Sequence, residues 1–176
     1  MADEVNVSDR GRRFAAVIGT AVFLLLAPGT VAGYIPWRIS RWQVHAAFHG
    51  FLAQQSAAIV LLAAGIAGLL ETFGRFAFQG IGTPAPVFPT RHLVVRGSYR
   101  YVRNPMYLSV LALIAGQALL FGDVRVAEYG ALAWLVVHLF VLGYEEPTLR
   151  RTFGDEYALY CAHVSRWLPR LNPWPS

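Results

Sequence analysis

Four long apolar runs in 176 residues constrain the fold of this chain more than any other feature. They cover residues 14–34, 51–70, 106–121 and 126–144. About 20 apolar residues are needed to cross the hydrocarbon core of a bilayer as an α-helix. A soluble domain of this size would leave much of that apolar surface in water, because small domains bury the smallest fraction of their surface. The runs therefore predict one all-α, polytopic membrane domain over residues 1–176, with about four transmembrane helices.

The end of the first run has a second interpretation. Residues 30–32 resemble a signal-peptidase site, which would make the run a cleaved signal. The length of the run and the three apolar runs that follow favour a membrane span instead.

The charged residues flank the runs and predict the orientation. All 15 cationic residues are arginine, and the net charge is +5. A four-span topology with both termini in the cytosol satisfies the excess of cationic residues in cytosolic loops. It leaves only Arg38, Arg41 and Arg125 outside, against Arg10, Arg12, Arg13, Arg75, Arg91, Arg96, Arg100, Arg103, Arg150, Arg151, Arg166 and Arg170 inside. The arginines flank spans rather than a polar domain, so we expect no nucleic-acid partner. The absence of lysine suggests a bacterial inner-membrane protein.

Small residues in the second run predict how its helix packs. Ala63 with Ala67, and Ala64 with Gly68, stand four residues apart. Such pairs allow helices to approach closely in lipid, so we expect this face to meet a neighbouring helix.

The last two runs form a tight hairpin, because only residues 122–125 join them. The entry to one run and the exit of the other must then be neighbours at one membrane level. The first of these segments, residues 91–107, is rich in arginine and tyrosine, and the second contains Glu145 and Glu146. The topology thus predicts one membrane-level pocket, where Arg103 and a glutamate form either a structural salt bridge or part of a site.

A further helix is expected after the fourth run. Leu149, Phe153, Tyr157 and Tyr160 recur at helical spacing, which predicts an amphipathic helix on the cytosolic side. Pro147 suits its first turn or a kink in the fourth span. Residues 167–176 contain three prolines and should be irregular.

The motifs in the second half of the chain resemble a known family. They read Gly97-x-Tyr99-x-x-x-Arg103-Asn104-Pro105-x-Tyr107, then Glu145-Glu146-x-x-Leu149-x-x-x-Phe153-Gly154-x-x-Tyr157-x-x-Tyr160, then Ser165-Arg166-Trp167-Leu168-Pro169. This pattern, over about residues 80–170, is similar to the isoprenylcysteine carboxyl methyltransferases and to related membrane methyltransferases that act on phospholipids. The resemblance implies a catalytic core over residues 80–170, behind two N-terminal spans within residues 14–70.

The resemblance also implies a site for S-adenosyl-L-methionine. The residues that it places along the cofactor are Arg91, His92, Leu93, Val94, Tyr99, Asn104, Pro105, Met106, Tyr107 and Glu145. The chemistry is suitable, since the cofactor carboxylate needs charged or backbone donors and its sulfonium favours aromatic faces. The implied methyl acceptor is a membrane lipid or lipidated compound, with either a prenylcysteine carboxylate or a phospholipid amine.

Arg103 and Glu146 are the catalytic candidates. Methyl transfer to a carboxylate depends mainly on positioning. An amine acceptor must lose a proton, and Glu146 would take it, while Arg103 would hold an anionic acceptor or the cofactor carboxylate. Two positions differ from the family's eukaryotic enzymes: Asn104 replaces a histidine, and Val141 replaces an arginine that helps to hold their substrate. The sequence therefore leaves both kinds of methyl acceptor as alternatives.

Other interpretations depend on single residues or on weaker likenesses. A membrane reductase related to the sterol reductases would bind NADPH, and an accessory protein could keep the fold without catalysis. His45 and His49 stand four apart, but no carboxylate or cysteine completes a ligand set, so we expect no metal. In the spans, His138 should be a hydrogen-bonded interior residue, and Gln117 could line the predicted pocket.

Overall fold

The computed structural model describes residues 18, 19, 21–44, 51–79, 93 and 95–175, with side chains within the second helix described for residues 52–75. This part of the chain contains helices and no strands, which confirms the all-α prediction. Its principal helices are α1 (Ala21–Ser40), α2 (Phe51–Gln79), α3 (Pro105–Phe121), α4 (Val124–Phe140) and α5 (Glu146–His163).

Three helical stretches are long and apolar enough to cross a membrane: Ala21–Ser40, Leu52–Arg75 and Val124–His163. The third stretch is longer than one span because α4 continues through a π-helical turn, Val141–Glu145, directly into α5. Helix α3 is equally apolar but has only 17 residues. Three to four spans are thus available, in agreement with the sequence. Many large apolar side chains on these helices are exposed on the protein surface, as expected for contact with lipid.

Helix α2 is longer than predicted, because it continues nine residues beyond the apolar run that ends at residue 70, to Gln79. The polar residues in this stretch are paired within the helix: Glu71 binds Arg75 one turn later, and the Thr72 hydroxyl donates to the Gly68 carbonyl. An ion pair at a spacing of four, such as that of Glu71 with Arg75, stabilises a helix rather than ending it. Phe73 is buried at the same level.

Helices α2 and α3 pack together more extensively than any other pair, through glycine on both sides. A Cβ atom on Gly65 would lie 2.8 Å from the Ser109 carbonyl oxygen, and one on Gly116 would lie 3.1 Å from the carbonyl oxygen of Ala58. The predicted packing face was therefore only partly right, since Gly68 faces α3 whereas Ala63, Ala64 and Ala67 are exposed. The actual face is rotated by about one residue from the predicted one.

Helix α1 is fixed against α3 and α4 by polar side chains that reach its carbonyl groups. Gln117 Nε2 donates to the Ala32 carbonyl at 2.6 Å, and the Tyr129 hydroxyl donates to the Val31 carbonyl at 2.9 Å. Both carbonyls belong to a π-helical turn of α1, Thr30–Tyr34. In lipid, each backbone polar group needs a partner within the protein. The suggestion that Gln117 lines the pocket is wrong. Its side-chain amide instead donates to a backbone carbonyl of α1.

Candidate active site

A short turn between α2 and α3 begins the site. Gly97 has φ +58°, a backbone conformation that favours glycine, and starts a 3₁₀ turn over Gly97–Arg100. Glu71, near the end of α2, accepts hydrogen bonds from the Ser98 hydroxyl at 2.6 Å and from the Ser98 backbone N–H at 3.3 Å. The carboxylate of Glu71 therefore fixes the turn that presents Tyr99.

Helix α3 then starts at Pro105, a proline in the first turn, where its missing N–H is not needed. Asn104, the residue before the helix, is buried, and its side-chain amide donates to the Arg166 carbonyl at 3.1 Å. The amide thus links the start of α3 to the C-terminal tail. Asn104 has a positioning contact and no titratable group, as expected from its difference from the family's histidine.

On the opposite side, the π-helical turn Val141–Glu145 leads into α5, and Pro147 lies in the first turn of α5, as predicted. Consecutive residues of a regular α-helix point about 100° apart. Glu145 and Glu146 nevertheless both line one cavity, and π turns are frequent at functional sites.

This cavity, of about 160 Å³, lies between the start of α3, the π turn after α4, and α5 as far as Tyr160. The two segments that the topology placed side by side therefore do enclose a space. It is lined by Leu93, Tyr99, Arg103, Asn104, Met106, Tyr107, Val141, Glu145, Glu146, Leu149, Phe153, Tyr157 and Tyr160.

Two phenols and a carboxylate form one part of the cavity lining. The Tyr107 hydroxyl donates to Glu145 Oε2 at 3.0 Å. Burial, with smaller contributions from the carboxylates of Glu145 and Glu71, raises the pKa of Tyr99 well above its usual value. Tyr99 is therefore a neutral phenol at physiological pH, and Glu145 has no arginine partner among the described residues.

A cluster of three charged groups forms the other part, and two of them, Arg103 and Glu146, line the cavity. Arg103 Nη1 lies 3.0 Å from Glu146 Oε1, and these side chains are only 10% and 8% exposed. Arg166, from the tail, binds the same carboxylate with two contacts, Nε to Oε1 at 2.6 Å and Nη2 to Oε2 at 2.9 Å. Two guanidinium groups thus share one carboxylate, and the cluster carries a net positive charge.

This cluster does not provide a partner for every hydrogen-bond donor of Arg103. Its Nη1 also donates to Cys161 Sγ at 2.8 Å, but its buried Nε has no hydrogen-bond partner among the described residues. A buried unpaired donor normally costs about 1–3 kcal/mol. An acceptor group on a ligand in the cavity would remove that cost.

The C-terminal tail closes the site. The Arg103 backbone N–H donates to the Ser165 carbonyl at 3.0 Å, and the Tyr160 hydroxyl donates to the Tyr99 carbonyl at 2.7 Å. The tail is irregular, as predicted, but these bonds attach it and α5 to the segment before α3.

The structure places most of the predicted site residues together. Those that line the cavity are Leu93, Tyr99, Arg103, Asn104, Met106, Tyr107, Glu145 and Glu146. Pro105 is buried in the first turn of α3 and is not part of the lining. Arg91, His92 and Val94 lie outside the described residues, as do His45 and His49. The roles of all these residues stay predictions.

Sequence reasoning did not assign five of the lining residues to the site, although all but the first stand in the family motifs: Val141, Leu149, Phe153, Tyr157 and Tyr160. It also missed four residues that contact the lining from outside: Glu71, Ser98, Cys161 and Arg166. Only Arg166 gave a signal, because it stands in the Ser165–Pro169 motif. His138 lies outside the cavity lining. It is hydrogen-bonded, as predicted: its Nδ1 accepts from Trp167 Nε1 at 3.0 Å, although the residue is only half-buried.

Comparison with known proteins agrees with this architecture. Residues 51–156 match the phospholipid methyltransferase family, so the match includes α2, the motif from Gly97 to Tyr107 and the motif from Glu145 as far as Gly154. An uncharacterized protein of Haemophilus influenzae is 39% identical over 70 residues, which cover 36% of this chain and all of the relative. Membrane methyltransferase activity is what this family suggests. With more than half of its length matched, the chain belongs to the phospholipid methyltransferase family.

Proposed function

We propose that this protein is a methyltransferase that depends on S-adenosyl-L-methionine and acts on a lipophilic acceptor from the bilayer. The observation that carries the proposal is the single cavity where Tyr107 and Glu145 face Arg103 and Glu146, in a chain of this family. The proposed catalytic core is residues 80–170. The proposed location is a bacterial inner membrane, with both termini and the cavity mouth on the cytosolic side.

The cavity lining fits the chemical groups of this cofactor. Glu145 suits ribose hydroxyls, because Tyr107 is the one hydrogen-bond donor to this carboxylate among the described residues. The rings of Tyr99, Tyr157 and Tyr160 provide aromatic faces for a sulfonium. The unpaired Nε of Arg103 suits a carboxylate, either that of the cofactor or that of an anionic acceptor. When bound, S-adenosyl-L-methionine would supply an electrophilic methyl group.

The volume of the cavity limits how much of the cofactor the described residues can enclose. About 160 Å³ is less than the roughly 300–1,000 Å³ of sites that surround a drug-sized ligand. We therefore propose that this cavity holds the reacting end of the cofactor. The predicted contacts with Arg91, His92 and Val94 would hold another part of it.

The arginine partners of Glu146 help to identify the chemical class of the methyl acceptor. Both of its oxygens are occupied by Arg166, and one of them also by Arg103. A carboxylate held in this way is a poor proton acceptor. A carboxylate acceptor, which attacks without losing a proton, therefore fits the site better than an ammonium group. Glu146 would then position Arg103, and Arg103 would orient the anionic group.

Two measurements test this proposal. Protein in vesicles made from bacterial lipid extract is given S-adenosyl-L-methionine with a labelled methyl group. We expect label in the lipid phase that mild alkali releases as methanol, as from a methyl ester. Label that resists alkali would indicate an amine acceptor.

Thermal unfolding with S-adenosylhomocysteine or NADPH tests the cofactor independently of the acceptor. We expect stabilisation by S-adenosylhomocysteine alone. Stabilisation by NADPH alone would support the reductase interpretation. No effect of either compound, together with no lipid labelling, would support an accessory protein.

A further inference from the structure

The C-terminal tail leaves α5, runs towards α4 and returns. After α5, Trp167 Nε1 donates to His138 Nδ1 of α4 at 3.0 Å, and the two rings lie 5.9 Å apart. The chain then comes back, since the Arg170 N–H donates to the Tyr101 carbonyl at 2.9 Å. Residues 166–171 therefore form a loop whose first part contacts a membrane-spanning helix.

The position of His138 gives the depth of this loop. The path from Val124 to Glu145 through α4 and the π turn is about 33 Å at 1.5 Å per residue, close to the ~30 Å hydrocarbon core. Glu145 therefore lies at one membrane boundary. His138 is two helical turns before Glu145, about 10 Å along the axis. Trp167, which binds it, lies on the membrane side of that boundary.

The described residues leave two leucines of the loop uncovered. Leu168 is 77% exposed and Leu171 is 97% exposed. An interfacial segment typically buries its apolar residues about 5–10 Å into the boundary between headgroups and acyl chains. The surface of α4 around His138 is also exposed and apolar, and includes Trp134, Leu135 and Leu139. The loop leucines thus continue a surface that faces lipid.

Charge on the loop agrees with the same placement. Arg170 stands between the two leucines, and its Nη1 donates to the His163 carbonyl. A cation beside membrane-inserted leucines suits the anionic headgroups of the cytosolic leaflet. We propose that residues 166–171 insert into the inner leaflet as a wedge, with Leu168 and Leu171 among the acyl chains. This inference does not depend on the proposed function.

Site-directed fluorescence tests the insertion. Leu168→Cys, Leu171→Cys and the control Glu156→Cys, an exposed position on α5, are each labelled with bimane in a Cys161→Ala background. The proteins are placed in vesicles of phosphatidylcholine and phosphatidylglycerol. We expect quenching of both leucine positions by doxyl groups near the headgroup end of the acyl chains. We expect quenching of the control by aqueous iodide.

Iodide quenching of all three positions, without doxyl quenching, would overturn the proposal. A disulfide between two copies of the unlabelled Leu171→Cys chain, without doxyl quenching, would also overturn it and assign the leucines to a second copy.

Because Cys161 contacts Arg103 and its replacement could impair folding, a second experiment uses the unchanged chain. Lipids with an acyl-chain diazirine are photolysed in the same vesicles, and the protein is digested with trypsin. We expect lipid adducts on the peptides 167–170 and 171–176. Adducts on peptides from the spanning helices, with none on these two, would contradict insertion.

Discussion

Tyr107, in the first turn of α3, donates its hydroxyl to Glu145 at the end of the α4 π turn, with 3.0 Å between the oxygens. These residues belong to the two ends of a helical hairpin. Their hydrogen bond therefore fixes the entry of one span against the exit of the other. In the proposed function it also orients the carboxylate that would contact the cofactor ribose.

Replacement of Tyr107 by phenylalanine tests that orientation. The variant removes one hydrogen bond to a carboxylate, worth about 1.5 kcal/mol, so we expect the Kd for S-adenosylhomocysteine to rise about tenfold. Calorimetry on the purified protein measures this change. Tyr129→Phe is a matched control, because that hydroxyl donates to the Val31 carbonyl in another part of the bundle. An equal rise in Kd for both variants would show that the loss is not local.

Arg166 should stabilise the fold through Glu146. Arg166→Gln removes two contacts to a carboxylate that is 8% exposed, but Arg103 remains as its partner. Since Arg166 is itself 29% exposed, we expect a loss of about 1–2 kcal/mol of stability, below that for a fully buried pair. Arg166→Lys should recover only part of the loss, because an ammonium cannot reproduce the fork of two contacts.

Thermal unfolding in detergent measures both Arg166 variants. Arg170→Gln serves as the control, since among the described residues the Arg170 side chain donates to the His163 carbonyl alone. An Arg166→Gln variant as stable as the control would contradict the positioning role.

Gly97→Ala should destabilise the turn before α3. The alanine would have φ +58° and a Cβ in contact with the Glu71 carboxylate and the Arg75 guanidinium. The left-handed conformation alone costs about 1–2 kcal/mol. Gly143→Ala is the matched control, because no atom lies within 4 Å of its Cβ position. We expect Gly97→Ala to lower the unfolding temperature and Gly143→Ala to leave it unchanged. A larger decrease for Gly143→Ala than for Gly97→Ala would contradict the described turn.

The burial of Tyr99 predicts how the stability of the folded protein changes at alkaline pH. Burial raises its pKa in the folded protein above the value of 10.0 in an unfolded chain. Above pH 10 the unfolded chain loses this proton more readily, so the folded state becomes relatively less stable as pH rises. Tyr99→Phe should therefore reduce the loss of stability between pH 9 and pH 11. Tyr144→Phe, at an exposed position of the π turn after α4, should not. Thermal unfolding over that range would contradict the assignment if the two variants behaved alike.

The spans and the meeting of the two polar segments could be predicted from the sequence, because both depend on apolar runs and on a short connection. The length of α2 could not, since Glu71 and Arg75 look like loop residues until they are seen as a pair within a helix. The packing face of α2 was displaced for a similar reason. Several small residues offered alternative faces, and only the close contacts of Gly65 and Gly68 with α3 select one.

The contacts of the C-terminal tail could not be predicted from the sequence. The contact of Arg166 with Glu146 and that of Trp167 with His138 join residues 20 and 29 positions apart, without any local periodicity. Their partners depend on how the chain turns after α5. The π turn had no sequence signal either, and it allows both glutamates to line one cavity.

The most direct test of the proposed function is the affinity of Glu145→Gln for S-adenosylhomocysteine, measured by calorimetry beside the wild-type protein and Glu128→Gln. Glu128 is an exposed glutamate in the first half of α4, so its replacement makes the same chemical change away from the cavity. Loss of a charged hydrogen-bond acceptor, about 1.5–3 kcal/mol, predicts binding weaker by one to two orders of magnitude for Glu145→Gln. Glu128→Gln should bind like the wild-type protein. Equal affinity of all three proteins would contradict the assignment of this cavity as the cofactor site.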